Sequence, residues 1–178
     1  MQPFPPAMNF NNPKERGKVE KAIKDLIKKG AVKPCKACEG QFLSRYFLRP
    51  KSDGTDRFIL NLEKLNEFID TDHFKIENMK DVEKLLMPDS FMGKIDLKDA
   101  YFLINVHEDS RKYLRFEFMN KLYEFTCLPF GLNISPFIFT KILKIVVNFL
   151  RSRRYKSVIY LDDMLCIEES FMSCKINI

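Results

Sequence analysis

Two short apolar stretches enclose a pair of carboxylates in the sequence Val158-Ile159-Tyr160-Leu161-Asp162-Asp163-Met164-Leu165-Cys166-Ile167. Residues 158–161 and 164–167 suit β-strands, whereas adjacent aspartates repel each other and Asp is a poor strand residue. A tight strand-turn-strand tip resolves this conflict because it points both carboxylates out of the sheet. There they can hold a divalent cation, which relieves their repulsion. An ordinary Asp-rich hairpin turn is the alternative that this stretch leaves open.

A third carboxylate, Asp96, comes after a short apolar strand predicted over residues 91–95. By itself, Asp96 suits a helix N-cap. If the strands that end at Asp96 and at Tyr160 are neighbours in one sheet, however, Asp96, Asp162 and Asp163 converge at one edge. Such a cluster can bind two Mg²⁺ ions, one activating an attacking hydroxyl and the other the leaving phosphate of an in-line displacement.

The rest of the chain mixes helices and hairpins without a regular β-α-β repeat. Asn12 can cap a helix that begins at Pro13 and stops at Gly30, and Ser135 opens a second amphipathic helix. Further elements are predicted as a hairpin over residues 42–49 and 57–62, a helix over 78–87, and a hairpin over 113–118 and 121–126. This pattern predicts an α+β domain.

The composition fits an intracellular domain and allows a polyanionic partner, although many soluble domains are as basic without one. The chain has a formal net charge of +6, and its basic residues cluster over residues 14–36 and 151–156. A solvated helix face and a helix C-terminus are the alternatives for these two clusters. No run approaches the roughly 18 apolar residues that a membrane span needs, and the N-terminus lacks a signal-peptide pattern. We therefore expect a cytoplasmic or nuclear protein without a membrane partner.

The cysteines show no disulfide framework. Their odd number, five, fits reduced thiols inside a cell. Cys35 and Cys38 form a lone C-x-x-C, which suits either half of a zinc site or a redox pair. The sequence has no second C-x-x-C, and its two histidines, His73 and His107, lie far from a usual ligand spacing.

Four segments, in a fixed order, resemble the motifs of reverse transcriptases. Tyr160-Leu161-Asp162-Asp163 resembles the Y-x-D-D box, and residues 95–102 resemble the first catalytic motif. Residues 128–136 are similar to the motif between those two, and residues 57–66 to the fingers hairpin and the segment after it. One such box occurs by chance, whereas four in the family's order rarely do. The likeness covers about residues 32–167 and looks closest to gypsy- or DIRS-like retrotransposons.

The resemblance implies an α+β fold of fingers and palm, with an antiparallel palm sheet and no thumb. Residues 1–12 would be a loose leader, 13–167 the fingers and palm domain, and 168–178 a short tail outside the family pattern. The implied activity is RNA-directed DNA polymerisation, in which two Mg²⁺ ions, or Mn²⁺ as a substitute, promote nucleotidyl transfer from a dNTP to a primer 3′-hydroxyl. The implied partners are an RNA or DNA template and a DNA primer, and a full-length element would add palm, thumb and possibly RNase H segments.

Roles for the acidic residues also come from the resemblance. Asp96 and Asp162 would be the principal metal ligands, and Asp163 a weaker or transient third. Asp99 falls outside the metal set and is expected to be a local cap. Tyr101 would pack beneath the incoming sugar and exclude a 2′-hydroxyl, with a half-buried core aromatic as the alternative.

The resemblance assigns four further residues to the nucleotide. Lys51 and Arg57 would reach the triphosphate, because that negative charge needs donors opposite the metals. Phe130 and Gly131 would approach the nascent base pair, where glycine lets backbone come close. Without the resemblance, the first two are hairpin surface charges and the other two a loop before a helix.

Two alternatives to an active polymerase remain open. One is a catalytically inactive, truncated element remnant that only binds nucleic acid, and the other is a scaffold protein without either activity. Relatives of this kind continue beyond the Y-x-D-D hairpin, so we expect the isolated chain to be weakly active or inactive.

Overall fold

Helices and antiparallel sheets are mixed in the computed structural model, which describes residues 12–71 and 73–178. The predicted leader lies outside these residues except for Asn12. The helices are α1 Pro13–Lys28, α2 Glu63–Asn66, α3 Met79–Glu83, α4 Glu108–Arg111, α5 Ser135–Ser152 and α6 Phe171–Asn177. The strands are β1 Val32–Cys35, β2 Arg45–Pro50, β3 Asp56–Asn61, β4 Phe91–Asp96, β5 Arg115–Phe118, β6 Lys121–Phe125, β7 Lys156–Tyr160 and β8 Asp163–Glu168. The predicted α+β class is confirmed.

The described residues form two compact units. The first contains the described part of residues 1–70 together with residues 101–135. The second contains the described part of residues 71–100 together with residues 136–178. In the part of the chain that the structure describes, no helix combines the length and apolar character that a bilayer crossing requires.

The residues at the start of helix α1, in the first unit, explain why the helix begins there. The Asn12 side chain accepts a hydrogen bond from Lys14 N at 2.9 Å, and Pro13 supplies a preset φ at the first helical position. Three apolar side chains with helical spacing are buried: Val19, Ile23 and Leu26. The lysines between them are exposed, so α1 presents a basic outer face.

An aromatic cluster forms the core of the first unit. Tyr46 on β2 stacks on Phe58 of β3 with ring centroids 4.8 Å apart, and Phe58 packs 4.9 Å from the fully buried Phe116 of β5. Such ring pairs contribute about 0.5–1.5 kcal/mol each beyond their buried area. They join the β2–β3 hairpin to the three-stranded sheet of order β1-β6-β5.

The second unit is built on a three-stranded antiparallel sheet of order β4-β8-β7. Val82 of α3 is buried against Val158 of β7 and Ile167 of β8. Helix α3 is shorter than the predicted helix over residues 78–87. Helix α6 packs on β4 and β8, where a side chain at Gly93 would collide with Ile178.

Candidate active site

The three predicted carboxylates lie at one end of the β4-β8-β7 sheet. Asp96 ends β4 and is paired across the ladder with Asp163, which begins β8. The sequence left open whether the strands that end at Asp96 and Tyr160 are neighbours in one sheet. They belong to one sheet, but β8 lies between them. The β7–β8 hairpin nevertheless places Asp162, at its tip, at the same end of the sheet as Asp96. Asp162 follows β7, and β7 pairs with β8 rather than with β4.

The tip of this hairpin is a strained two-residue loop. Tyr160 pairs with Asp163, which leaves Leu161 and Asp162 as the loop residues. Leu161 has φ +53°, a conformation that suits glycine better than leucine. The Asp162 carbonyl oxygen accepts a hydrogen bond from Leu97 N at 2.9 Å, which ties the tip to the residue after β4.

Lys94 forms an ion pair with one of these carboxylates. Its Nζ lies 2.9 Å from Asp163 Oδ1. The hydrogen bond to Asp163 and the charge of that carboxylate, and then the charges of Asp96 and Asp162, raise the pKa of Lys94. All three carboxylates therefore act on one ammonium group, although both partners of the ion pair are substantially exposed to solvent.

The donor set has the chemistry that Mg²⁺ prefers, since carboxylate oxygens are hard ligands. Asp96 and Asp162 are exposed and accessible to an ion. Within residues 12–71 and 73–178, however, no group of three or more His, Cys, Asp or Glu side chains is arranged to hold a metal ion. The residue types fit the ion, whereas Asp163 is turned to Lys94.

Sequence reasoning missed a second network that braces β7. Glu77 Oε2 accepts a hydrogen bond from Ile159 N at 2.9 Å, on the edge strand of the sheet. Glu77 Oε1 also lies 2.7 Å from Arg151 Nη2, and that nitrogen donates to Ser157 O at 2.6 Å. Glu77 and Arg151 thus provide hydrogen-bond partners for backbone groups of β7, a few residues before Asp162. No local pattern could reveal it, because Glu77 and Arg151 are 74 positions apart.

In the first unit, three residues predicted to handle the nucleotide meet at one aromatic ring. The Arg57 guanidinium lies 4.7 Å from the Phe130 ring centroid, a distance suited to a cation–π contact. The Tyr101 and Phe130 rings lie 5.4 Å apart and are tilted by 54°. Within the described residues, Lys51 is exposed in the β2–β3 turn and makes no contact with this group.

Gly131 closely approaches the backbone of β3. Its φ is +102°, and an added Cβ would collide with the carbonyl oxygen of Leu60 on β3. Asn66, whose role the sequence did not reveal, donates to Gly131 O at 2.9 Å. Asn66 Oδ1 also accepts from Asn133 N at 3.1 Å, so this side chain holds both sides of the loop.

Comparisons with known proteins point to one family. The family model described as "Reverse transcriptase (RNA-dependent DNA polymerase)" matches residues 50–175. The chain is 25% identical over 163 residues to the enzymatic polyprotein of figwort mosaic virus, covering 89% of this chain and 24% of that protein. It is 27% identical over 158 residues to the retrovirus-related Pol polyprotein from transposon 412 of Drosophila melanogaster, covering 85% of this chain and 12% of that protein.

A solved structure shares the fold. The foamy viral protease-reverse transcriptase in complex with dsDNA superposes with a TM-score of 0.81 at 21% identity, covering 99% of this chain and 36% of that one. The chain thus spans only a minor part of the length of the relatives it matches. Because the family match covers more than half of its residues, the chain belongs to the reverse transcriptase (RNA-dependent DNA polymerase) family.

Proposed function

We propose that this domain catalyses two-metal nucleotidyl transfer from a dNTP to the 3′-hydroxyl of a DNA primer on an RNA or DNA template. The observation that carries the proposal is the pairing of Asp96 with Asp163, with the Asp162 backbone tied to Leu97. The viral and transposon polyproteins among its relatives support a retroelement origin. We assign the domain to an element of the gypsy or DIRS kind because of the amino-acid sequences of its motifs.

Asp96 and Asp162 are the proposed principal metal ligands, and Asp163 is a weaker or transient third. Reverse transcriptases generally use divalent metal ions. When bound, Mg²⁺ or its substitute Mn²⁺ supplies positive charge to the phosphates and to the attacking hydroxyl. The ion pair between Asp163 and Lys94 supports the lesser rank of Asp163, because its carboxylate already has a cationic partner.

Residues of the first unit are proposed to bind and select the nucleotide. Arg57 and Lys51 would donate to the triphosphate, and Tyr101 would exclude a 2′-hydroxyl. Phe130 and Gly131 would line the nascent base pair. The contacts of the Phe130 ring with Arg57 and Tyr101 support this assignment, because they limit the motion of side chains that would have to be held in place at the nucleotide. The dsDNA complex of the foamy viral relative supports a nucleic-acid partner.

Primer extension tests the proposal. The chain is incubated with a labelled DNA primer on an RNA template, with dNTPs and Mg²⁺ or Mn²⁺, beside the variants Asp96→Asn and Asp162→Asn. Extension by the unaltered chain alone supports polymerase activity. Binding of template and primer without extension supports the inactive, nucleic-acid-binding alternative, and absence of both supports the scaffold.

A further inference from the structure

A buried ion pair lies beside the C-x-x-C of the first unit. Arg115 and Glu124 are paired on β5 and β6, and their side chains are only 9% and 8% exposed. Arg115 Nε and Nη2 both donate to Glu124 Oε2, at 3.0 and 2.6 Å. The third nitrogen, Nη1, is directed away from Glu124 and contacts the segment immediately after β1.

Arg115 Nη1 donates to the sulfur of Cys38 at 3.0 Å. It also donates to Gln41 Oε1 at 2.9 Å and to Lys36 O at 3.1 Å. Cys38 itself is exposed, so a soluble reagent can reach the sulfur that the guanidinium contacts. Exposure of a cysteine favours its oxidation by peroxides, so Cys38 is the candidate for reaction at this position.

The charges around this sulfur are unequal. Lys33 Nζ lies 3.4 Å from Glu124 Oε1, so two cations, Lys33 and Arg115, face the single carboxylate of Glu124. Because Arg115 and Glu124 are buried, water screens these charges less than it would on an open surface.

Cys35 lies on the same face of the sheet as this group. Lys33 pairs with Glu124 and Cys35 with Leu122, and residues two apart on a strand share a face. Burial, with the charge and hydrogen bond of Glu124, raises the pKa of the Cys35 thiol. Cys35 therefore stays protonated beside the more exposed Cys38, three residues away in the chain.

We propose that Cys38 and Cys35 form a peroxide-sensitive dithiol site, in which Cys38 is oxidised first and Cys35 resolves the product. The Cys38 sulfur attacks one oxygen of a hydroperoxide, and the O–O bond breaks to give a sulfenic acid and water or an alcohol. The Cys35 sulfur then attacks the Cys38 sulfur, forming the disulfide as hydroxide leaves with the Cys35 proton as water. The two thiols lose two electrons, which reduce the peroxide. The disulfide would join the end of β1 to the segment that contacts Arg115.

The remaining cysteines serve as internal controls. Cys127, Cys166 and Cys174 are at most 5% exposed. Burial raises the pKa of Cys127 to about 11 and also raises that of Cys166. Both effects suppress reaction with peroxide.

Mass spectrometry of the full chain tests the site without any need for polymerase activity. The reduced chain is treated with limiting hydrogen peroxide, blocked with N-ethylmaleimide and digested with trypsin, which cleaves between the two cysteines at Lys36. We expect a disulfide that joins the Cys35 and Cys38 peptides while the three buried cysteines stay reduced. In Cys35→Ser, dimedone should trap a sulfenic acid on Cys38, whereas Cys38→Ser should leave Cys35 unoxidised.

Lys33→Ala and a urea-unfolded sample test whether the fold activates Cys38. Lys33 is half exposed, so its replacement removes one cation without opening the core. We expect Cys38 to be oxidised several-fold more slowly in Lys33→Ala, and more slowly again in urea. Equal rates in the folded and unfolded chains, or oxidation of the buried cysteines before the joined peptides form, would overturn the proposal.

Discussion

Asp162 is the residue on which the proposed chemistry depends most directly. Its carboxylate is exposed at the tip of the β7–β8 hairpin. Asp162→Asn keeps the shape of the side chain but removes the charge, so in a preparation that extends primers we expect extension to fall at least about a thousandfold. Weaker Mn²⁺ binding, measured by titration calorimetry, should accompany the loss, with the urea midpoint unchanged. Near-normal extension by the variant would refute the assignment.

Asp99→Asn is the matched control for Asp162→Asn. Asp99 has φ +54°, a backbone conformation that asparagine tolerates as well as aspartate. It also stands outside the proposed metal set. Extension rate and Mn²⁺ affinity should therefore stay close to those of the unaltered chain.

Tyr101 offers a test of sugar selection. Its ring packs on Phe130, and we propose that it blocks a 2′-hydroxyl. Tyr101→Val should raise kcat/KM for ribonucleotides relative to deoxyribonucleotides, because the smaller side chain leaves room for the hydroxyl. The measurement is single-nucleotide incorporation in a preparation that extends primers. An unchanged ratio would mean that Tyr101 is only a packing residue.

At the scale of secondary-structure elements, the edge strand β7 depends on Glu77. Glu77→Ala leaves Ile159 N without its acceptor and Arg151 without its carboxylate, which should lower the free energy of unfolding by about 1–2 kcal/mol. Glu77→Gln retains an oxygen for Ile159 N and should cost less. Urea denaturation measures both, with Glu83→Ala, a change at an exposed position of α3, as the control. Equal midpoints for Glu77→Ala and Glu83→Ala would disprove the bracing role.

Two glycines should respond to alanine in opposite directions. Gly131→Ala forces a side chain into a positive φ and against Leu60 O, so we expect a loss of roughly 2 kcal/mol or more. Gly17 lies inside α1 with open space around it, so Gly17→Ala should stabilise the chain by about 0.5–1 kcal/mol. Urea midpoints of the two variants give the comparison. Stabilisation by Gly131→Ala would mean that the loop can move away from β3.

At the scale of the whole molecule, the net charge of +6 predicts how nucleic-acid binding responds to salt. Each duplex phosphate neutralised by a lysine or arginine should contribute about −0.9 to the slope of log K against log salt. The exposed Lys18 and Lys21 of α1 are candidate contacts. Replacing both with Ala should make the slope shallower by up to about 2, as measured by fluorescence anisotropy. Lys84→Ala, at a residue paired with Asp81, is the control, and the same slope in all three chains would exclude α1 from the interface.

The sequence by itself determined the elements whose signals are local. The cap at Asn12, the apolar stretches on either side of Asp162-Asp163 and the family motifs each involve a few neighbouring residues, and the structure forms a helix and two strands at the first two of these. The sequence also indicated the types of residue in the candidate site. It did not indicate that Asp163 pairs with Lys94, because that contact depends on the register of β4 against β8.

Only the tertiary structure decided which distant residues meet. The order β4-β8-β7, the Glu77–Arg151 pair and the contact of Arg57 with Phe130 all join segments far apart in the chain. The sequence likewise predicted an amphipathic helix at α5 but not which segment would cover its apolar residues. Val147 of α5 is 1% exposed, whereas its neighbour Val146 is 46% exposed. A pattern of residues reports the local backbone period, whereas burial and pairing depend on which other segment packs there.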